Sequence, residues 1–135
     1  MTGQLAHILD VLPTCLELAG AQPLAEINGE KTKPLEGHSL VPILRGGTRT
    51  PPEELCWEWS GNCAIRRGQW KLVWDTLGKP VQWELYDIEA DRTELHNLAD
   101  EKPELVKEMS EAYSRWAKAT GRHLPGEKGK KSGDD

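Results

Sequence analysis

Leu5, Ile8, Leu9, Leu12, Leu16 and Ala19 recur at the spacing of one helical face, and Gly20 follows as a stop signal. The pattern predicts an amphipathic helix over residues 4–19, with Pro13 kinking it or opening its second half. Residues 21–37 carry Pro23, Gly29 and Pro34 without an apolar period and read as a connecting loop. Ser39 then has a hydroxyl to cap a short helix over 39–45, which Gly46 and Gly47 would end.

Beyond residue 53 the period changes from helical to alternating. Four short runs rich in Trp, Val, Ile, Leu and Tyr, at 54–59, 63–67, 70–74 and 82–86, are separated by Gly61-Asn62, Gly68 and Gly78-Lys-Pro80. Such tight punctuation predicts antiparallel neighbours. Leu55, Trp57 and Trp59 alternate with Cys56 and Glu58, and Trp70, Leu72 and Trp74 with Lys71 and Val73, so each strand offers an apolar face. A last helix over 103–120 would cover that face through Leu105, Val106, Met109, Ala112, Tyr113, Trp116 and Ala117, with Pro103 in its first turn and Gly121 as its stop. The resulting fold class is α+β: an N-terminal helix and loop, then a four-stranded antiparallel sheet packed by a C-terminal helix. The first helix has no visible partner in this arrangement, which points to packing on something larger than the chain. The expected divisions are a helix and loop region at 1–50, sheet plus helix at 51–122, and a disordered tail at 123–135, where apolar residues run out.

Composition changes this picture little. At 135 residues with 37% hydrophobic and 29% charged side chains, the chain suits one modest globular unit, and no apolar run approaches the roughly 20 residues of a membrane span. A net charge of -5 opposes a phosphate backbone, so nucleic acid is not an expected partner. The N-terminal MTGQLAHILD lacks the basic and apolar regions of a secretory signal. Cys56 and Cys63 face one another across a predicted hairpin, either as one bridge or as small buried thiols; Cys15 completes an odd count without metal-site spacing.

The search for chemistry returns no catalytic set. His7, His38, His96 and His123 are scattered singly, and the run of Asp87, Glu89, Asp91 and Glu94 lacks the glycine and final glutamate of a calcium loop, so it reads as a solvated turn. No catalytic residue and no metal ligand is expected in this chain. Trp57, Trp59, Trp70, Trp74 and Trp83 all fall at strand spacing, where such rings usually fill a core; the rival reading is a free-standing carbohydrate-binding module with a tryptophan platform. Glu58 and Asn62 form a polar pair beside a turn. Their structural reading has Asn62 serving the turn and Glu58 pairing with a cation such as Lys71.

Four stretches together carry a family resemblance. His7-Ile-Leu-Asp-Val-Leu-Pro-Thr-Cys-Leu-Glu-Leu-Ala-Gly20 resembles the helix that closes the large α/β domain of the sulfatases, and Leu35-Glu-Gly-His-Ser-Leu-Val-Pro-Ile-Leu-Arg-Gly46 the segment after it. Trp57-Glu-Trp-Ser-Gly-Asn-Cys-Ala-Ile-Arg-Arg-Gly-Gln-Trp-Lys-Leu-Val73, and Trp83-Glu-Leu-Tyr-Asp87 through Asn97-Leu-Ala99, resemble that family's small C-terminal sheet. The resemblance implies the C-terminal portion of an arylsulfatase-like sulfuric ester hydrolase of the alkaline-phosphatase-like superfamily, inactive as this isolated chain. It implies further that the parent carries calcium and a formylglycine matured from Cys/Ser-x-Pro-x-Arg, and that it is periplasmic or extracellular. The expected partner is the parent's N-terminal catalytic domain, with a sulfate ester as substrate only in that context. Cys15, Cys56 and Cys63 are followed by Leu-Glu, Trp-Glu and Ala-Ile, so none can be that formylglycine and no cofactor is expected in this chain. On the same resemblance Glu58 and Asn62 are candidates for the edge of the substrate cleft.

Overall fold

The computed structural model describes residues 3–77 and 80–127. The chain divides into two compact units, one ending at Pro52 and the other beginning at Glu53.

In the first unit, helical structure begins at a short 3-10 turn, Ile8–Asp10, and continues as α1, Val11–Ala19. The helix therefore starts later than the spacing of Leu5 predicts. His7 and Asp10 form a reciprocal cap, Nδ1 of His7 accepting from the Leu9 amide and the Asp10 carboxylate from the His7 amide, which fixes the first turn there. Upstream, Gln4 is drawn away from helical geometry: its side chain donates to the Gly47 carbonyl and accepts from the Arg49 amide. Pro13 is the third residue of α1, in the turn whose amides have no intrahelical partner, so it opens the regular helix and does not break one. Gly20 ends α1 with φ 62°, a left-handed position that glycine takes at little cost.

The segment expected to be a loop holds a small hairpin, β1 (Glu26–Ile27) and β2 (Glu30–Lys31), turned by Asn28-Gly29 with both φ positive. Asn-Gly is the preferred pair for such a turn, a signal the absence of apolar period hides. Next, α2 (Val41–Leu44) starts where Ser39 Oγ accepts from the Val41 amide.

The second unit is a four-stranded antiparallel sheet, β3 (Leu55–Trp59), β4 (Asn62–Arg67), β5 (Trp70–Trp74) and β6 (Trp83–Asp87), in sequential order, with α3 (Pro103–Thr120) on one face. Ile65, Leu72 and Leu85 stand in one row across three strands, fully buried under Met109, Ala112, Tyr113 and Ala117 of α3. Each such aliphatic side chain contributes roughly 1.5–3 kcal/mol by leaving water. Trp70, Trp74 and Trp83 border this core, and Trp83 meets both Trp74 and Tyr113 edge to face. Leu124, inside the expected disordered tail, also packs on the core, and Glu127 closes a turn back to it; residues 128–135 lie outside the described residues.

Trp57 and Trp59 depart from expectation. Cys56 lies opposite Ile65 and Glu58 opposite Cys63, so the register commits Cys56 and Glu58 to the face under α3. Leu55, Trp57 and Trp59 consequently take the other face, and Trp59 is 78% exposed. A strand side chain period of two leaves no intermediate choice. The same register keeps Cys56 and Cys63 out of direct opposition, and all three cysteines are free.

Candidate functional site

The first unit is organised around a buried acid. Asp10 accepts from the amides of His7 and His38, each at 2.8 Å, and from Arg49 at 2.7 Å. The Arg49 guanidinium also donates to the carbonyls of Leu5 and His38. Thr14 ties the helix to the same centre, donating to the Asp10 carbonyl and accepting from the Leu40 amide. Burial pushes the Asp10 carboxyl up, but Arg49 and the two amides outweigh it and hold the group at about 2. Every oxygen of Asp10 is engaged in holding chain segments, so the arrangement is structural. By contrast, Ile8, Leu9, Leu12 and Leu18 of the same unit are exposed, and Val41 is its fully buried aliphatic side chain among the described residues. Ile8, Leu9 and Leu12 with Leu35 rim a hollow of about 460 Å³.

In the second unit the β3–β4 turn is Ser60-Gly61, both with positive φ, so Asn62 is the first residue of β4 and lies outside the turn itself. Its Oδ1 accepts from the amide and hydroxyl of Thr76, fastening the end of β5. Glu58, pointing toward α3, receives the Gly61 amide and lies 3.9 Å from Arg122. Lys71, the cation expected for Glu58, pairs with Glu94 on the opposite face. The two cleft candidates thus flank one turn with their side chains on opposite faces of the sheet.

The exposed face of the sheet holds a second polar group that sequence reasoning did not single out. Trp57, Ala64, Arg66, Lys71, Ile88 and Glu94 line a hollow of about 360 Å³. Glu94 adopts φ 56° and so brings its carboxylate onto Lys71. Asp91 builds the preceding turn by accepting the amides of Leu95 and His96. The expected solvated turn after β6 is therefore an ordered one.

These side chains do not compose a hydrolytic centre. Burial pushes the Cys56 thiol up to about 12 and the Cys63 thiol up to about 11, which keeps both protonated and poorly nucleophilic at neutral pH. Among the described residues, no group of three His, Cys, Asp or Glu side chains could hold a metal ion. Calcium has no fitting ligand set there, and no cysteine lies in a formylglycine motif. No described helix is long and apolar enough to cross a membrane.

No family model matches the chain. Individual proteins do. It is 41% identical over 99 residues to the choline-sulfatase of Rhizobium meliloti, a match that covers 68% of this chain and 17% of that enzyme. It is 30% identical over 125 residues to an uncharacterized sulfatase of Schizosaccharomyces pombe, covering 90% of this chain and 23% of that protein. An ulvan-active sulfatase of Formosa agariphila is 30% identical over 162 residues, with coverages of 89% and 30%. The chain spans less than a third of the length of these curated relatives. The fold matches a solved putative sulfatase of Bacteroides thetaiotaomicron with a TM-score of 0.62 at 22% identity, over 89% of this chain and 30% of that one. A phosphonate monoester hydrolase of Agrobacterium radiobacter shares it at a TM-score of 0.52 and 21% identity, over 82% of this chain and 24% of that one. The reading as a free-standing carbohydrate-binding module finds no support among these relatives.

Proposed function

We propose that this chain, homologous along most of its length to sulfatases and corresponding to their C-terminal portion, serves as the supporting and cleft-edging part of an arylsulfatase-like sulfuric ester hydrolase. The observation that carries the reading is the asymmetry of coverage: the sulfatase relatives match 68% to 90% of this chain, yet the match occupies 17% to 30% of them. In this reading the chemistry resides in a catalytic domain supplied by the parent enzyme, which would hold the calcium and the formylglycine.

Two features of the fold support such a partner. The first unit is organised by the Asp10–Arg49 polar centre, while the apolar residues Ile8, Leu12 and Leu18 face outward. Apolar side chains in that number, on one short helix, are stabilised once a larger apolar surface covers them. In the second unit Glu58 and Asn62 flank the Ser60-Gly61 turn that joins β3 to β4. That is where Glu58 and Asn62 would influence substrate fit, Asn62 by fixing the end of β5 through Thr76.

A chimera tests the reading. The matched portion of the Rhizobium meliloti choline-sulfatase is replaced by this chain, and hydrolysis of aryl and choline sulfate is measured. The expected result is a soluble enzyme with retained turnover and an altered KM, and no turnover by this chain alone. An insoluble or inactive chimera, or turnover by the chain alone, overturns the proposal. In the active chimera, Glu58→Ala and Asn62→Ala should shift KM; unchanged values would remove these two residues from the cleft.

A further inference from the structure

The two edges of the sheet are treated differently. Arg67 and Trp70 flank the two-residue Gly68-Gln69 turn as Trp59 and Asn62 flank Ser60-Gly61, so hydrogen-bonded pairs recur at every second position of each ladder. On β6, this alternation turns the backbone groups of Trp83, Leu85 and Asp87 outward. The chain itself reaches the last two: the Leu98 amide donates to the Leu85 carbonyl, the Leu85 amide to Asn97 Oδ1, and the Asp91 amide to the Asp87 carbonyl. On β3, the alternation turns the amides and carbonyls of Cys56 and Glu58 outward. Among the described residues, no backbone bond from outside the four-stranded ladder reaches them. An uncovered edge of this kind is a template for another strand.

We infer that β3 pairs antiparallel with β3 of a second copy of this chain, about a two-fold axis at Trp57, joining two four-stranded sheets into one of eight strands. The occupant follows from self-complementarity of the strand, and charge selects the register. With Trp57 opposite its own copy, Cys56 meets Glu58 of the second copy, and the outward groups of both residues form four hydrogen bonds. Shifting the pairing by two residues in one direction sets Glu58 against Glu58; in the other it sets Glu58 against Glu54. Like charges directly opposite are destabilising, so of these three registers the Trp57-centred one alone is free of that penalty. It also sets Leu55 against Trp59 on the face away from α3. This pairing withdraws from water a tryptophan that is 78% exposed in the single chain. The two α3 helices remain together on the other face. An interface built from one strand is small, in the class below about 1,200 Å² where association is weak and concentration-dependent. The inference is independent of the sulfatase reading.

Sedimentation velocity of the full chain, mass 15.1 kDa, over roughly 1–100 μM should show mass rising toward twice the monomer value. Over the same range the Cys56 and Glu58 amides should slow in hydrogen exchange by about tenfold, while the Leu55 and Trp57 amides, already in the β3–β4 ladder, stay unchanged. Glu58→Pro removes one outward amide without touching that ladder and should abolish the dimer, whereas Glu58→Gln should retain it. Trp59→Lys, at an exposed position, should weaken it at least about tenfold. A chain that stays monomeric, or a dimer lost in Leu12→Lys on the α1 face but kept in Trp59→Lys, overturns the inference. Should Glu58→Pro fail to fold, concentration-independent exchange at Cys56 and Glu58 in the unaltered chain overturns it equally.

Discussion

Arg49 lies thirty-nine residues from Asp10 in sequence and 2.7 Å from it in space, with both side chains 5% exposed. The pair joins the start of α1 to the segment before β3, and through the His38 amide it also holds the approach to α2. Removing one member leaves the other buried without its counter-charge. Asp10→Asn should therefore cost the first unit about 3–5 kcal/mol, read as lost exchange protection at the His38 and Leu40 amides. Protection unchanged from the parent chain would show that the pair is dispensable.

The same carboxyl predicts an acid limit. Held at about 2 against an ordinary 3.8, Asp10 gives stability that is complete above the ordinary value and lost as pH falls through the folded one. The first unit should thus lose on the order of 2 kcal/mol between about pH 4 and pH 2. NMR signals of His38 and Leu40 followed through that window check the loss, and Asp10→Asn should lack this component.

Gly37 is required by space. A Cβ there would stand 2.0 Å from the Leu9 carbonyl oxygen and 2.8 Å from the Asp10 amide nitrogen, both backbone atoms. Gly37→Ala should force the 37–38 segment off α1 and cost upward of about 1–3 kcal/mol. A crystal structure of the variant with the His38–Asp10 bond intact would refute this account.

Leu72 and Trp59 should differ sharply in their response to truncation. Leu72, fully buried between Ile65 and Leu85, should lose about 2–5 kcal/mol as Leu72→Ala, whereas Trp59→Ser should stay within about 0.5 kcal/mol at dilute, monomeric concentration. Urea unfolding monitored by circular dichroism separates the two.

Asn62 acts through its acceptor oxygen. Asn62→Ala should destabilise the end of β5 by about 1 kcal/mol, while Asn62→Asp, which keeps that acceptor, should lose less. Exchange of the Thr76 amide reports the difference directly.

Much of the fold was legible because it follows from local periods. The seven-residue apolar stripe from Leu105 to Ala117, opened by Pro103 and closed by Gly121, determines α3 over the range observed. Alternation and glycine punctuation likewise locate β3 to β6 within a residue or two. The resemblance in sequence order that marks a sulfatase C-terminal portion was readable for the same reason: it is carried by contiguous residues.

Tertiary structure alone decided what depends on partners distant in sequence. Leu55, Trp57 and Trp59 are the more apolar set of β3, yet the pairing of Cys56 with Ile65 and Glu58 with Cys63 turned the other set toward α3. Local hydrophobicity cannot fix this choice, because a strand's two faces are exchanged by a one-residue slip and the decision belongs to the whole sheet. Helix 4–19 was shortened for a similar reason: Gln4 and the Leu5 carbonyl are claimed by Gly47 and Arg49, more than forty residues away. The sequence by itself determined the elements and their order. Register and the buried Asp10–Arg49 charge pair determined which faces are hidden, since both are set by contacts that form when distant segments meet.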